Sequence, residues 1–340
     1  MASIRSKLLN CVTRLSMRLL LRREVSVPQF RQLIARLDRR RAGRLAYGVS
    51  VEEQVSPIAG RWIHNRNCSP GKVILYLHGG AFIVRMPEMH SGMVSRLCAQ
   101  IGASAFMPWY RLAPEHPFPA APQDALAAYR YLLKNYRSDD ILVMGDSAGG
   151  TLTLALLNLI KAEGLPNPAA AVALSPPVDF AQVSATWLMH RWTEPMYALQ
   201  PAVAPQRHYL NFDHYTDPVA SPVYGDLYGL PPVLLVVGGV EALRDDALGY
   251  ARVASVASAP VTLHIWQGMP HVHMLHDFLP EAALAEQEVV KWVHHALRNP
   301  EEPSDKGSLK DAVILFNRQP VIGRVTRFSN SDATYMGGVA

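Results

Sequence analysis

A serine flanked by small residues, between a strand pattern and a helix pattern, is the strongest sign of chemistry in this sequence of 340 residues. Ser147 lies in Gly145-Asp-Ser-Ala-Gly149, after the apolar run 141–144 and before the Pro- and Gly-free run 151–160. The pattern G-x-S-x-G at such a junction predicts a sharp turn that presents the serine hydroxyl. Small residues suit this turn because bulky side chains would clash with the crossing backbone. We therefore predict that Ser147 is a nucleophile; a purely structural turn is the alternative.

A serine hydroxyl is a weak nucleophile near neutral pH, so it needs a base within hydrogen-bond reach and an acid that orients the base. In chains of this topology the order along the sequence is serine, acid, histidine. Glu241 and His271 each lie just beyond an apolar run that reads as a strand. We predict that they complete a triad with Ser147.

Two glycines after another predicted strand indicate a second part of an acyl-transfer site. The run 73–77 is apolar, and His78-Gly-Gly-Ala81 follows it. The backbone of such a loop can come close to a substrate and offer N–H groups to a developing oxyanion. We predict that Gly79 and Gly80, with the N–H of Ala148, form an oxyanion hole; a tight loop without a catalytic part is the alternative.

The elements that must position these residues alternate along the chain from about residue 46 to residue 299. Strands are predicted at 48–55, 60–65, 73–77, 103–109, 141–144, 170–174, 233–237 and 261–266, and helices at 93–100, 124–135, 151–162, 247–255 and 282–297. This alternation predicts an α/β fold with a mainly parallel central sheet covered by helices on both faces. Ligands of such sheets bind at the carboxyl ends of the strands, where the candidate residues lie.

Composition narrows the class of protein. Cys11, Cys68 and Cys98 are odd in number and widely spaced, which argues against a disulfide framework or zinc site and favours a reducing, cytoplasmic compartment. Residues 1–45 hold 12 basic and 2 acidic residues, a net charge of +10, so the remaining 21 basic and 26 acidic residues carry −5. A mildly acidic body argues against nucleic acid as a partner.

The basic segment 1–45 has a helical pattern of its own. Apolar residues recur at helical spacing while arginines interrupt them, so no run approaches the length of a membrane span. Three interpretations stay open: a helix that packs on the body as part of a cap, a surface helix in peripheral contact with anionic lipid, and an organelle-targeting peptide.

Two further segments depart from the alternating pattern. The aromatic-rich insertion at about 180–218 predicts a lid over the site, with an ordinary packed connection as the alternative. Residues 300–340 form a polar and then weakly apolar extension, for which a flexible or loosely docked tail is expected.

Three motifs together resemble the hormone-sensitive-lipase-like family of α/β-hydrolases. They are the segment Tyr110-Arg-Leu-Ala-Pro-Glu-His-Pro-Phe-Pro-Ala120, His78-Gly-Gly-Ala81 before it and Gly145-Asp-Ser-Ala-Gly-Gly150 after it. The resemblance covers about residues 46–298 and implies a serine carboxylesterase with a helical cap and with no metal or organic cofactor. It implies small-molecule esters as substrates, of short to medium chain length or small and apolar, and is compatible with a homodimer.

The chain departs from the family pattern at three positions. Position 81 is Ala where the family commonly has Gly, and Trp109 stands where a small or acidic residue is usual. The acid is Glu241 in place of the usual Asp, which leaves Asp245 and Asp246 as competing acids. Glutamate still accepts the imidazole N–H, and triads with Glu occur in this fold.

Other classes of function remain as alternatives. The run His271-Val-His-Met-Leu-His-Asp277 superficially resembles a metal site of a hydrolase. A non-catalytic receptor for a small ligand is compatible with the fold, because fold alone does not establish activity. Within acyl-transfer chemistry, lactone and amide hydrolysis stay open.

Overall fold

Apolar runs form the central strands of the structure, such as VILYL, AAVAL and VLLVVG, whereas the first strand at the edge, VSVEEQ, is mostly polar and exposed. The computed structural model describes residues 2–20, 25–40, 44–68, 71–182, 185–186, 208–298, 313–316 and 325–326. Its helices are α1 (Ile4–Leu20), α2 (Val27–Arg40), α3 (Pro87–Ile101), α4 (Ala120–Leu132), α5 (Ala148–Ala162), α6 (Arg244–Val256) and α7 (Pro280–Arg298). Its strands are β1 (Val49–Gln54), β2 (Gly60–Asn65), β3 (Val73–Leu77), β4 (Ser104–Pro108), β5 (Ile141–Asp146), β6 (Ala170–Leu174), β7 (Val233–Gly238), β8 (Val261–Trp266), β9 (Val313–Phe316) and β10 (Val325–Thr326).

The strands form one sheet in the order β1-β2-β4-β3-β5-β6-β7-β8-β9-β10. Strands β4 to β9 in this order run parallel, while β1, β2 and β10 pair antiparallel with their neighbours. The predicted fold class is confirmed: an α/β-hydrolase fold with a mainly parallel sheet. The sheet continues through β9 into the C-terminal extension, for which the sequence suggested no element; the rest of residues 300–340 lies outside the described residues.

Both faces of the sheet are buried, because alternate residues of each strand supply two different cores. In β3, Val73 and Leu75 contribute to a cluster with α4 and α5, whereas Ile74 and Tyr76 contribute to a cluster with α3 and α7. All five side chains of β3 are buried. A continuous apolar run is therefore what a strand in this central position requires.

The two N-terminal helices pack on the body at different places. On α1, Leu9 is buried against Leu279 and Ala282 at the start of α7. On α2, Arg31 donates hydrogen bonds to the carbonyl oxygens of Ile83 and Ala113. Helix α2 therefore packs on the segment just beyond the predicted oxyanion loop, and its role as a cap element stays a prediction. No described helix is both long and apolar enough to cross a membrane.

The predicted cap insertion at 180–218 lies for the most part outside the described residues. Beyond the gap, Tyr209 stacks on Phe82, with ring centroids 3.7 Å apart, and its carbonyl oxygen accepts a hydrogen bond from the N–H of Phe118. The end of the insertion thus packs beside the loop that follows β3.

Candidate active site

The predicted site residues come together at one edge of the sheet. Ser147 follows β5, Glu241 follows β7, and His271 follows β8; the loop Gly79–Ala81 follows β3. Strands β3, β5, β6, β7 and β8 are parallel neighbours, so their carboxyl ends lie side by side. The sheet order therefore gathers groups that are up to 192 residues apart between Gly79 and His271 in the sequence.

Ser147 sits on a strained turn between β5 and α5. Its backbone adopts φ 51° and ψ −121°, and its side chain stays partly exposed. A Cβ on Gly149 would overlap the carbonyl oxygen of Leu77, and one on Gly145 would overlap the carbonyl oxygen of Gly149. The small residues of the motif are thus required by the close crossing of β3, β5 and the start of α5.

The three side chains predicted to form a triad are hydrogen-bonded in series. The Nε2 atom of His271 lies 2.9 Å from the Oγ of Ser147, and its Nδ1 lies 3.0 Å from Oε2 of Glu241. An ionised carboxylate only accepts hydrogen bonds, so Nδ1 carries the proton and donates it to Glu241. That leaves Nε2 unprotonated, and it accepts the hydrogen bond of the Ser147 hydroxyl. His271 is 4% exposed and Glu241 is fully buried, so water does not compete for this pair.

The competing acids have different partners. Asp245 accepts a hydrogen bond from the N–H of Thr186 and pairs with Arg244 at 3.2 Å. Asp246 accepts a hydrogen bond from the N–H of Val178. Glu241 is the carboxylate that the structure shows at hydrogen-bond distance, 3.0 Å, from His271.

The hydrogen bonds of the loop after β3 contradict one of the predicted oxyanion donors. The N–H of Gly79 is already donated to Oδ1 of Asp146, at 2.9 Å, so the prediction of Gly79 as an oxyanion donor is wrong. Within the described chain, the N–H groups of Gly80, Ala81 and Ala148 donate to no acceptor. The candidate oxyanion donors are therefore Gly80 and Ala81, one residue further along the loop, together with Ala148.

Left-handed backbone conformations concentrate around these strand ends. Of six described non-glycine residues with positive φ, five border the candidate site: Ala81 at 54°, Phe82 at 63°, Ser147 at 51°, Ser175 at 50° and Val272 at 44°. The sixth, Ser258, lies in the exposed turn between α6 and β8. For an L-residue this conformation costs roughly 1–2 kcal/mol. Alanine at position 81 therefore retains the backbone N–H that the family's glycine supplies. It does so in a left-handed conformation that favours glycine.

A buried network of polar side chains lies next to Ser147 and hydrogen-bonds to the loop after β3. Asp146, the residue before the serine, accepts hydrogen bonds from the Tyr76 hydroxyl at 2.7 Å and from Gly79. Nε2 of His90 lies 3.0 and 3.1 Å from the two carboxylate oxygens of Asp146, and Nδ1 of His90 lies 2.8 Å from the carbonyl oxygen of Met86. Since both acceptors lack protons, His90 donates from both ring nitrogens and is an imidazolium.

The environment of this pair favours the charged forms. Burial alone would raise the pKa of Asp146, but the charge of His90 and the hydrogen bonds from His90, Tyr76 and Gly79 lower it. Burial alone would lower the pKa of His90, but Asp146 and the Met86 carbonyl raise it. Sequence analysis did not single out this network. Asp146 stands inside the serine motif, whereas no local pattern indicates its partners on β3 and α3.

We expect Asp146→Asn to lower the free energy of unfolding by about 3–5 kcal/mol, because it leaves the imidazolium of His90 buried without its counter-ion. The loss should be largest between about pH 3.9 and 6.5. Because folding lowers the pKa of Asp146, this carboxylate contributes fully to the free energy of unfolding above the ordinary pKa of Asp. Because folding raises the pKa of His90, this imidazolium contributes fully to the free energy of unfolding below the ordinary pKa of His.

Urea unfolding followed by circular dichroism across this pH range measures the difference. Asp139→Asn is the matched control, since Asp139 is exposed and pairs with Arg137 at 3.5 Å; it should change stability by about 0.5 kcal/mol or less. Equal effects of the two substitutions would contradict the charged assignment of the buried pair.

The histidines after β8 do not converge as the metal-site alternative requires. His271 bonds Ser147 and Glu241, whereas His273 is buried against the ring of Trp266. Burial lowers the pKa of His273 to about 3, so this side chain is neutral. In the described ranges no three side chains of metal-ligating type come together.

Comparison with known proteins shows that this chain is similar to ester hydrolases. A model of the α/β hydrolase fold matches residues 74–275. The chain is 40% identical over 217 residues to an acetyl-hydrolase of Streptomyces hygroscopicus, across 63% of this chain and 73% of the relative. It is 32% identical over 235 residues to the carboxylesterase/phospholipase LipF of Mycobacterium tuberculosis, across 66% of this chain and 62% of LipF. A solved structure, a hormone-sensitive lipase from a metagenome library, matches with a TM-score of 0.81 at 32% identity, over 87% of this chain and all of that one.

Proposed function

Because this chain belongs to the hormone-sensitive-lipase-like family of α/β-hydrolases and is an ester hydrolase of the carboxylesterase type, we propose that it works through an acyl-enzyme on Ser147. The observation that carries the proposal is the series of hydrogen bonds from Ser147 through His271 to Glu241, at 2.9 and 3.0 Å. A nucleophile, a base and an orienting acid in this geometry are the parts that acyl transfer requires.

In the first step, Nε2 of His271 takes the hydroxyl proton as Oγ of Ser147 bonds to the ester carbonyl carbon. The carbonyl oxygen becomes an oxyanion, and the N–H groups of Gly80, Ala81 and Ala148 face it. Each such donor contributes about 3–4 kcal/mol to transition-state stabilisation. Nε2 then returns the proton to the alkoxy oxygen, the carbon–oxygen bond breaks and the alcohol leaves an acylated Ser147.

In the second step, water replaces the alcohol. His271 takes a proton from the water, whose oxygen attacks the acyl carbon, and a second tetrahedral intermediate forms at the same donors. Its collapse returns the proton to Ser147 and releases the carboxylic acid. Throughout, the carboxylate of Glu241 holds the proton on Nδ1 and stabilises the imidazolium that forms in each step.

The apolar surroundings of the oxyanion loop support small or short- to medium-chain apolar esters as substrates. Phe82 directly follows Ala81, and its ring is buried between that loop and the stacked ring of Tyr209. Phe118 meets Tyr209 edge-on, with ring centroids 6.0 Å apart. This aromatic group packs directly behind the oxyanion loop, and such an apolar environment supports apolar rather than charged substrates.

A panel of substrates and one covalent probe test the proposal. We expect wild-type protein to hydrolyse p-nitrophenyl esters from acetate to hexanoate, with kcat/KM at least about tenfold lower for the dodecanoate ester. A serine-reactive phosphonate should abolish activity and modify Ser147, as read by peptide mass mapping, while a strong chelator leaves activity intact.

The same panel includes a lactone and a p-nitroanilide, which report on lactone and amide hydrolysis. Faster turnover of either would correct the substrate class while keeping the mechanism. Modification of another residue, or activity that survives complete phosphonate labelling, would contradict the mechanism.

A further inference from the structure

Helix α1 carries a stripe of apolar side chains that the described part of the chain leaves exposed. Ile4, Leu8, Val12 and Leu15 are 84%, 62%, 50% and 60% exposed. Their spacing of four, four and three residues puts them on one face of the helix. Scattered exposed apolar residues are ordinary on protein surfaces, but an aligned row on one helix marks an interaction surface.

The opposite face of α1 is already used to hold the helix on the body. Ser6 and Leu9 are buried on that side. The side chain of Asn10 donates a hydrogen bond to the carbonyl oxygen of Gly268 at 3.2 Å, and the hydroxyl of Ser3 donates one to Glu281 at 3.0 Å. Because these contacts fix the orientation of the helix, the apolar stripe faces outward as a consequence of the fold.

The charge around the stripe indicates what covers it. Helix α1 holds four basic residues and no acidic residue, a net charge of +4, whereas residues 46–340 carry −5. Lys7 and Arg14 lie along one edge of the stripe, by their positions on the helix. An apolar row bordered by basic residues matches a surface that is apolar beneath a negatively charged layer, which is the profile of an anionic lipid bilayer.

We propose that the outer face of α1 docks on the surface of an anionic membrane, with the helix lying in the interface and the catalytic body above it. Ile4, Leu8, Val12 and Leu15 enter the boundary between headgroups and acyl chains, and the basic residues meet the lipid phosphates. This proposal goes beyond the ester hydrolysis proposed above and does not rest on it.

Charge disfavours a second copy of the chain as the occupant. A two-fold symmetric dimer through this face would bring two copies of α1 into contact, each with four basic residues, no acidic residue and a net charge of +4. Such a pair repels itself, whereas an anionic bilayer neutralises the helix.

Vesicle co-sedimentation of the full chain tests the proposal. We expect wild type to bind vesicles of 70% phosphatidylcholine and 30% phosphatidylglycerol more tightly than vesicles of phosphatidylcholine alone, with binding that falls as salt is added. Leu8→Glu/Val12→Glu should lower the partition coefficient by at least about tenfold. Lys7→Gln should lower it about fivefold on the anionic vesicles only.

The matched control is Val253→Glu/Val256→Glu on α6, which adds the same charge to a helix whose two valines are 40% and 86% exposed. This variant should bind the anionic vesicles like wild type, apart from a modest loss from its added charge. Far-UV circular dichroism and thermal melting report whether each variant stays folded.

Three results would overturn the proposal. The first is equal binding of wild type and Leu8→Glu/Val12→Glu to the anionic vesicles, including no binding by either. The second is a dimer in sedimentation equilibrium that dissociates in that variant, which would make a second copy the occupant. The third is a severalfold change in hydrolysis of a water-soluble ester by that variant without vesicles, which would make the stripe part of the substrate entrance. Since the main readout is sedimentation with lipid, it succeeds or fails independently of the catalytic mechanism.

Discussion

Ser147→Ala is expected to lower kcat/KM for p-nitrophenyl acetate by about 10⁴-fold or more while the protein stays folded. The hydroxyl is the atom that bonds to substrate, and no other described side chain occupies its place beside Nε2 of His271. Activity that remains would come from the oxyanion donors and from general-base attack of water. Initial rates with the purified variant, together with thermal melting, measure both parts of the expectation.

Ser175→Ala is a matched control for this experiment. Ser175 follows the next parallel strand and has a similar left-handed φ, but its hydroxyl accepts a hydrogen bond from the N–H of Val272 at 3.1 Å. Losing this bond costs about 1 kcal/mol, so activity should stay within about tenfold of wild type. Near-normal hydrolysis by Ser147→Ala would refute the nucleophile assignment.

The second large effect is expected from Glu241→Gln, which should lower kcat by about 10³- to 10⁴-fold. Oε1 of Glu241 accepts a hydrogen bond from the N–H of Gly238 at 3.2 Å, and Oε2 faces Nδ1 of His271 at 3.0 Å. In the glutamine variant the amide oxygen takes the position that faces the Gly238 donor, so the NH₂ group faces His271. The imidazole then accepts at Nδ1 and carries its proton on Nε2, the wrong tautomer for deprotonating Ser147.

Asp245→Asn separates the two carboxylates that compete in the sequence. Asp245 contacts Thr186 and Arg244, so its loss should change kcat by about threefold or less. Initial rates for the two variants, at equal fraction folded, make the comparison. A loss for Asp245→Asn as large as that for Glu241→Gln would contradict the assignment of the acid.

The parts of the fold that depend on local pattern could be predicted from the sequence. The bounds of the strands Val73–Leu77 and Ala170–Leu174 coincide with their apolar runs. A buried parallel strand must be apolar on both faces, so its signal is continuous and easily bounded. The serine turn is equally local, because the crossing backbone requires its glycines.

Features that depend on three-dimensional partners could not be predicted. The acid was ambiguous because Glu241, Asp245 and Asp246 lie within one turn-and-helix segment, and only their hydrogen-bond partners in the folded chain separate them. Gly79 was misassigned because its N–H is taken by Asp146, 67 residues away. The outward face of α1 likewise follows from contacts with Gly268 and Glu281, which no periodicity reveals.

The left-handed residues around the strand ends bear on how this protein could be made to withstand heat. Glycine relieves the steric conflict at any of them, but at five of the six the altered backbone would border the reacting hydroxyl or its donors. Ser258 alone lies at the opposite end of the sheet, in an exposed turn before β8. Engineering for thermal tolerance should therefore begin at that turn and avoid the five positions beside the candidate site. At those positions, relieving the backbone strain would also shift the reacting hydroxyl or the oxyanion donors from their positions.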